Sequence, residues 1–145
     1  MTGTFQSLEE ARTWFAEDRF ATENGMYIEV LDDTHAVCAM DITGRHSNAN
    51  GGVMGGAIFT LGDFAFAVFV NHKHRPTVAQ QVSINYFSQP KGKKLIATAH
   101  GKKDGKTTCV CIVDITDDTG LDVAQFIGTG YKLPPAVTVS SEEGR

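Results

Sequence analysis

The segment that most restricts what this chain can fold into is VMGGAIFTLGDFAFAVFV, residues 53–70. Eighteen residues with a single charge approach the length of a membrane span. Three glycines and a threonine argue against that reading, and Asp63 near the centre would cost about 2.5–3.5 kcal/mol on insertion. The segment is therefore read as a buried helix running from about Gly55 to Val70. It ends in NHKHRPT, where Pro76 cannot continue the run. A helix apolar on all sides needs cover over most of its circumference. A flat sheet covers one side only, so the expectation is an α+β fold with a curved antiparallel sheet wrapped around a long central helix.

The flanking segments supply that sheet. MYIEVLD and HAVCAMDI, joined by Asp32-Asp33-Thr34, form a predicted hairpin. After the helix, TVAQQVSINYFSQ, KLIATAHGKK, TTCVCIVDITD and LDVAQFIGTGYKL alternate as strands, and Asp104-Gly105 is a strong turn signal. Their order suggests a four-stranded meander. Upstream, SLEEARTWFAED carries a capping-box pattern from Ser7 to Glu10, which predicts one short amphipathic helix ending near Asn24-Gly25. The expected organisation is an N-terminal helix within 1–24 packed on the domain, a domain over 25–133, and a loose tail over 134–145.

Length and charge narrow the function classes. The chain has 145 residues, enough for one ordinary domain, with 41% hydrophobic and 21% charged residues, a soluble globular composition. Its net charge of −4 disfavours a general nucleic-acid binder. Cys38, Cys109 and Cys111 have no metal-like spacing, and no secretory leader is evident. A reduced, cytoplasmic protein is expected, with the thiols as packing residues.

A resemblance enters through the glycine-rich loop. HSNANGGVMGG followed by LGDFAFA resembles the hotdog-fold acyl-CoA thioesterases of the phenylacetyl-CoA thioesterase type. That family's motif has the form His-x-Asn-x-x-Gly-x-x-His-Gly-Gly, followed by an acidic residue on the next helix. His46, Asn48, Gly51, Gly55 and Gly56 fit the spacing, and Asp63 falls where the family's catalytic carboxylate lies. INYFSQP and the strands through Leu133 are similar too, so the resemblance spans roughly residues 25–133. One position departs: Met54 stands where the family has histidine, and methionine neither donates nor accepts a proton.

The resemblance implies a hotdog fold, hydrolysis of a small aromatic or short-to-medium acyl-CoA, and a homodimer or homotetramer. Asn48 and Gly55 would then face Asp63 of the partner subunit. In such a cleft Asp63 could act as general base on water or attack the thioester directly. The Gly55 N–H, at a helix start, could stabilise the oxyanion, with Gly56 keeping the approach open. Asn48 is either a turn residue or a holder of the water or carbonyl. His46 is either a loop histidine bonded to backbone or a supporting residue of the substrate site, and Met54 is read as lining an apolar acyl pocket. Arg75, Lys91, Lys93 and Lys94 are either solvated charges or contacts to the phosphates of coenzyme A. The expected partner is acyl-CoA, with no nucleic acid and no membrane. No metal or redox cofactor is expected, since coenzyme A enters as part of the substrate. The alternative is a non-catalytic acyl-CoA binding hotdog module.

Overall fold

The computed structural model describes residues 1–135. Its elements are α1 (Leu8–Phe15), α2 (Arg19–Glu23), β1 (Met26–Leu31), β2 (His35–Asp41), α3 (Gly55–Lys73), β3 (Thr77–Tyr86), β4 (Lys94–Asp104), β5 (Thr108–Asp117) and β6 (Asp122–Lys132). A single 3₁₀ turn, Gly44–His46, leads into the loop before α3. The expected tail beyond residue 135 lies outside the described residues.

All six strands form one antiparallel sheet in the order β1-β2-β4-β5-β6-β3. Alternation along β4 and β5 puts Leu95, Ala97, Ala99, Cys111, Val113 and Ile115 on the buried face. Two glycines let α3 approach that face. A Cβ on Gly62 would lie 2.9 Å from the Phe126 ring, and one on Gly128 would lie 2.7 Å from Phe66.

The sheet does not wrap around the helix, which corrects the expected curved, enclosing sheet. Its outer strands, β1 and β3, do not pair with each other, so it is open and not strongly curled. The physical reason lies on the other side of α3. Its partly exposed positions are mostly small or polar, among them Gly55, Ala57, Thr60, Asp63 and Ala67, so that side needs less cover than a uniformly apolar helix. The N-terminal segment supplies part of it: Phe5, Ala11 and Phe15 are buried, and Phe15 meets Phe64 edge to face at 5.8 Å.

The four-strand meander is corrected as well. β4, β5 and β6 are consecutive neighbours, but β3 pairs with β6 at the edge while β4 pairs with β2. The link from β3 to β4 runs over seven residues, 87–93, too long to dictate a tight hairpin.

The predicted single N-terminal helix is two. Ser7 does cap α1, its Oγ accepting from the Glu10 N–H at 3.1 Å, while Glu10 reaches back to the Gln6 N–H at 2.8 Å. Helix α3 runs about one turn beyond Val70 because its polar end is satisfied. Asn71 exchanges bonds with the Thr77 backbone at 2.9 and 3.1 Å, and the buried His72 donates its Nε2–H to the Asp33 carboxylate at 2.8 Å. Among the described residues no helix is long and apolar enough to cross a membrane, and the three cysteines are free and buried.

Candidate active site

The loop from His46 to Met54 is shaped by its own side chains. Asn48 Oδ1 accepts from the N–H groups of Asn50 at 2.9 Å and Gly52 at 3.0 Å, and Ser47 bridges to Val53. Gly51 adopts φ 84°, a left-handed conformation that glycine reaches without steric cost. The acceptor side of Asn48 is thus spent on the turn. Its Nδ2 makes no hydrogen bond among the described residues, so a donor is what it has left to offer.

His46 is buried, and both ring nitrogens are engaged. Nδ1 accepts from the Thr43 N–H at 3.0 Å, and Nε2 donates to the Asn24 carbonyl at 2.8 Å. It pins the loop to the end of α2 and has no nitrogen left for a substrate.

The loop delivers the chain into α3 at Gly55. The first intrahelical bonds run from the Ala57 and Ile58 N–H groups to the Met54 carbonyl. The N–H groups of Gly55 and Gly56 have no acceptor among the described residues, and Met54 provides no side-chain cap. Two unspent donors therefore stand at the positive end of a 19-residue helix. That is an anion-stabilising arrangement.

Two residues absent from the sequence-based set hold this corner. Tyr86 donates its hydroxyl to the Gly55 carbonyl at 2.9 Å. Gln89 accepts from the Val53 N–H at 2.9 Å, and a Cβ on Gly52 would lie 2.8 Å from its Oε1. The only signal for them is their position in INYFSQP, since nothing in a single sequence places β3 beside the helix start.

Asp63 lies two turns further along α3 on its half-exposed side, with no ion pair or hydrogen bond to its carboxylate among the described residues. Burial, and then the nearby charge of Asp18, pushes its carboxyl above the usual carboxylate range. Asp63 and Gly55 are eight residues apart, about 12 Å along a helix axis. That exceeds hydrogen-bond reach even through one water. Within one chain the two candidate groups are not brought together.

The basic residues separate too. Arg75 lies over Phe5 and Trp14, 4.2 and 5.4 Å from the ring centroids, and donates to the Thr4 carbonyl at 3.1 Å. Lys94 pairs with Glu29. Lys91 and Lys93 are fixed through their backbone N–H groups, to Asp117 at 2.7 Å and Asp118 at 2.9 Å, leaving their ammonium groups without an acidic partner among the described residues.

A six-stranded antiparallel sheet with one long helix on its face, entered through a glycine pair with free N–H groups, is the hotdog-like architecture of thioester hydrolases. The model of the Thioesterase superfamily matches residues 50–124, and the chain belongs to that family. The acyl-coenzyme A thioesterase PaaI of Escherichia coli is 29% identical over 131 residues, covering 90% of this chain and 94% of that one. The solved structure of the E. coli PaaI protein from the phenylacetic acid degradation operon superposes with a TM-score of 0.78 at 28% identity, over 91% of this chain and all of the other. A hypothetical thioesterase from Streptococcus pneumoniae, solved with coenzyme A, gives a TM-score of 0.74 at 30% identity, over 81% and 94%.

Proposed function

We propose that this protein hydrolyses small to medium acyl-CoA thioesters at a site shared between two subunits. The observation that carries this is the pair of unspent N–H groups at Gly55 and Gly56. They offer a developing oxyanion oriented donors in a family whose chemistry creates one. The coenzyme A moiety is supported by the named activity of the E. coli relative and by the ligand of the S. pneumoniae structure.

In this reading the thioester carbonyl rests on the Gly55 N–H, with the Asn48 amide as a second donor. Asp63 of the partner subunit takes a proton from water, and the hydroxide formed adds to the carbonyl carbon. Collapse of the tetrahedral intermediate breaks the C–S bond, and the proton held on the carboxyl passes to the departing thiolate. The products are a carboxylic acid and free coenzyme A. Direct attack by the carboxylate, giving a mixed anhydride that water then cleaves, uses the same geometry. Among the described residues Lys91 and Lys93 are the cations without an acidic partner nearest in sequence to the Gln89 clamp, and they are assigned to the coenzyme phosphates; Arg75 and Lys94 already have partners.

The second copy is motivated by the Gly55–Asp63 separation and by the free edge of β3. That strand is exposed along most of its length, and Tyr86 and Phe87 at its end present apolar rings to solvent. Thiol release from acetyl-, hexanoyl- and phenylacetyl-CoA, with binding measured in parallel, tests the proposal. Binding without thiol release would instead establish the non-catalytic module.

A further inference from the structure

Asp117, the last residue of β5, is the one buried acidic residue among the described residues. A carboxylate is stable there only if donors saturate it. Five do, and they divide by oxygen. Oδ1 accepts from the Thr119 N–H at 2.9 Å, the Thr119 hydroxyl at 2.6 Å and the Leu121 N–H at 3.2 Å. These bonds close the β5–β6 turn, a local task that asparagine performs as well. Oδ2 crosses to another part of the chain, accepting from the Lys91 N–H at 2.7 Å and the Gly92 N–H at 2.9 Å. The second oxygen is spent entirely on the segment between β3 and β4.

That segment is held along its length. Gln89 accepts from the Val53 N–H at its start, and the Lys93 carbonyl accepts from the Ile42 N–H at 2.8 Å. Asp118 Oδ1 accepts from the N–H groups of Lys93 at 2.9 Å and Lys94 at 3.3 Å. A Cβ on Gly92 would overlap the Asp118 carboxylate, so the backbone lies directly against it. One tethered stretch thus joins the glycine loop before α3 to the exposed Lys91 and Lys93.

We infer that Asp117 is a positioning residue for coenzyme recognition: its Oδ2 fixes the Lys91 and Gly92 backbone and so sets the place of the Lys91 and Lys93 ammonium groups relative to the Gly55 and Gly56 donors. The inference rests on the acyl-CoA reading above, in which those lysines hold the phosphates. A thioester at one end of the substrate and phosphates at the other are bound together at least cost when the spacing between the two sets of donors is set in advance. Asparagine at 117 has one acceptor oxygen and would turn an NH₂ toward N–H groups. It can keep the turn or the loop, not both.

The test compares hexanoyl-CoA with hexanoyl-pantetheine, which carries the same thioester without the phosphates. In Asp117→Asn, KM for hexanoyl-CoA should rise roughly tenfold, the order of one charge-assisted contact, with kcat unchanged. For hexanoyl-pantetheine kcat/KM should not move. The Lys91→Ala/Lys93→Ala double variant should show the same selective rise, and Asp117→Asn added to it should cost nothing more. An equal loss on both substrates, an unchanged KM for hexanoyl-CoA in folded Asp117→Asn, or a further full loss in the lysine background would each overturn the inference and leave the acyl-CoA reading intact. If Asp117→Asn does not fold, Asp118→Ala carries the readout from an exposed position by freeing the Lys93 and Lys94 N–H groups; an unselective loss there, or none, overturns the inference. A wild type that releases no thiol from either substrate would overturn the acyl-CoA reading itself.

Discussion

Asp63 stands on a half-buried helix face with no cation paired to it among the described residues and with Asp18 as the charge acting on it. A carboxylate in that setting is costly to keep ionised. Its folded pKa lies above the unfolded value of 3.8, so the stability it contributes is complete below 3.8 and is lost as pH rises through the folded pKa. Asp63→Asn should therefore fold at neutral pH with a melting temperature at or above that of the wild type. Its kcat should fall at least 10²-fold, the low end for a lost general base. A folded variant with unchanged kcat would remove Asp63 from the mechanism. Asp18 supplies a finer test. Asp18→Asn removes a like charge, so the acid limb of the kcat profile should move to lower pH; a limb that stays put would show that burial alone sets it.

At the scale of elements, the start of α3 permits an unusual substitution. Gly55 is the first helical residue, its N–H serves no intrachain bond among the described residues, and Met54 before it has φ −62° and ψ 135°. Proline is tolerated at a first helical position and favours that extended conformation in the preceding residue. Gly55→Pro should keep the fold and oligomer size, with a small fall in melting temperature because a Cβ there lies 3.3 Å from the exposed Tyr86 ring, while lowering kcat by about 10²–10³, the effect of deleting one oxyanion donor. Steady-state kinetics beside a thermal melt would check both halves. The helix and its isolated aspartate were legible in the sequence because a long apolar run with one carboxylate has few physical solutions. The break between α1 and α2 and the placing of β3 beside β6 were not, since pairing partners depend on contacts remote in sequence. His46 shows the same limit at the site: a loop histidine bonded to backbone was one of its two readings, while the partners of those bonds, Thr43 and Asn24, appear only once α2 and the loop are adjacent.

For the whole molecule, the separation of Gly55 from Asp63 within one chain is what makes the proposed site one of two chains. If each site takes its donor from one subunit and its carboxylate from the other, two different inactive variants can complement each other. Asp63→Asn and Gly55→Pro subunits, mixed by unfolding and refolding together, should form mixed dimers that each carry one intact site. Random pairing then restores about a quarter of wild-type activity. No recovery, with mixed dimers demonstrated by mass, would place the whole site within one chain.

The open edge of the sheet has a further consequence for how the enzyme behaves in a tube. A catalyst whose site is completed by association obeys mass action, so its turnover per subunit is not a constant. Specific activity should hold steady at high protein concentration and fall as dilution passes the dissociation constant of the pair. Saturating acyl-CoA, by binding only the assembled form, should push that fall to lower concentration. A dilution series with and without substrate preincubation would reveal it, and activity per subunit that stays level while light scattering reports monomers would count against the shared site. A rate measured at a single enzyme concentration would then describe the association equilibrium as much as the chemistry.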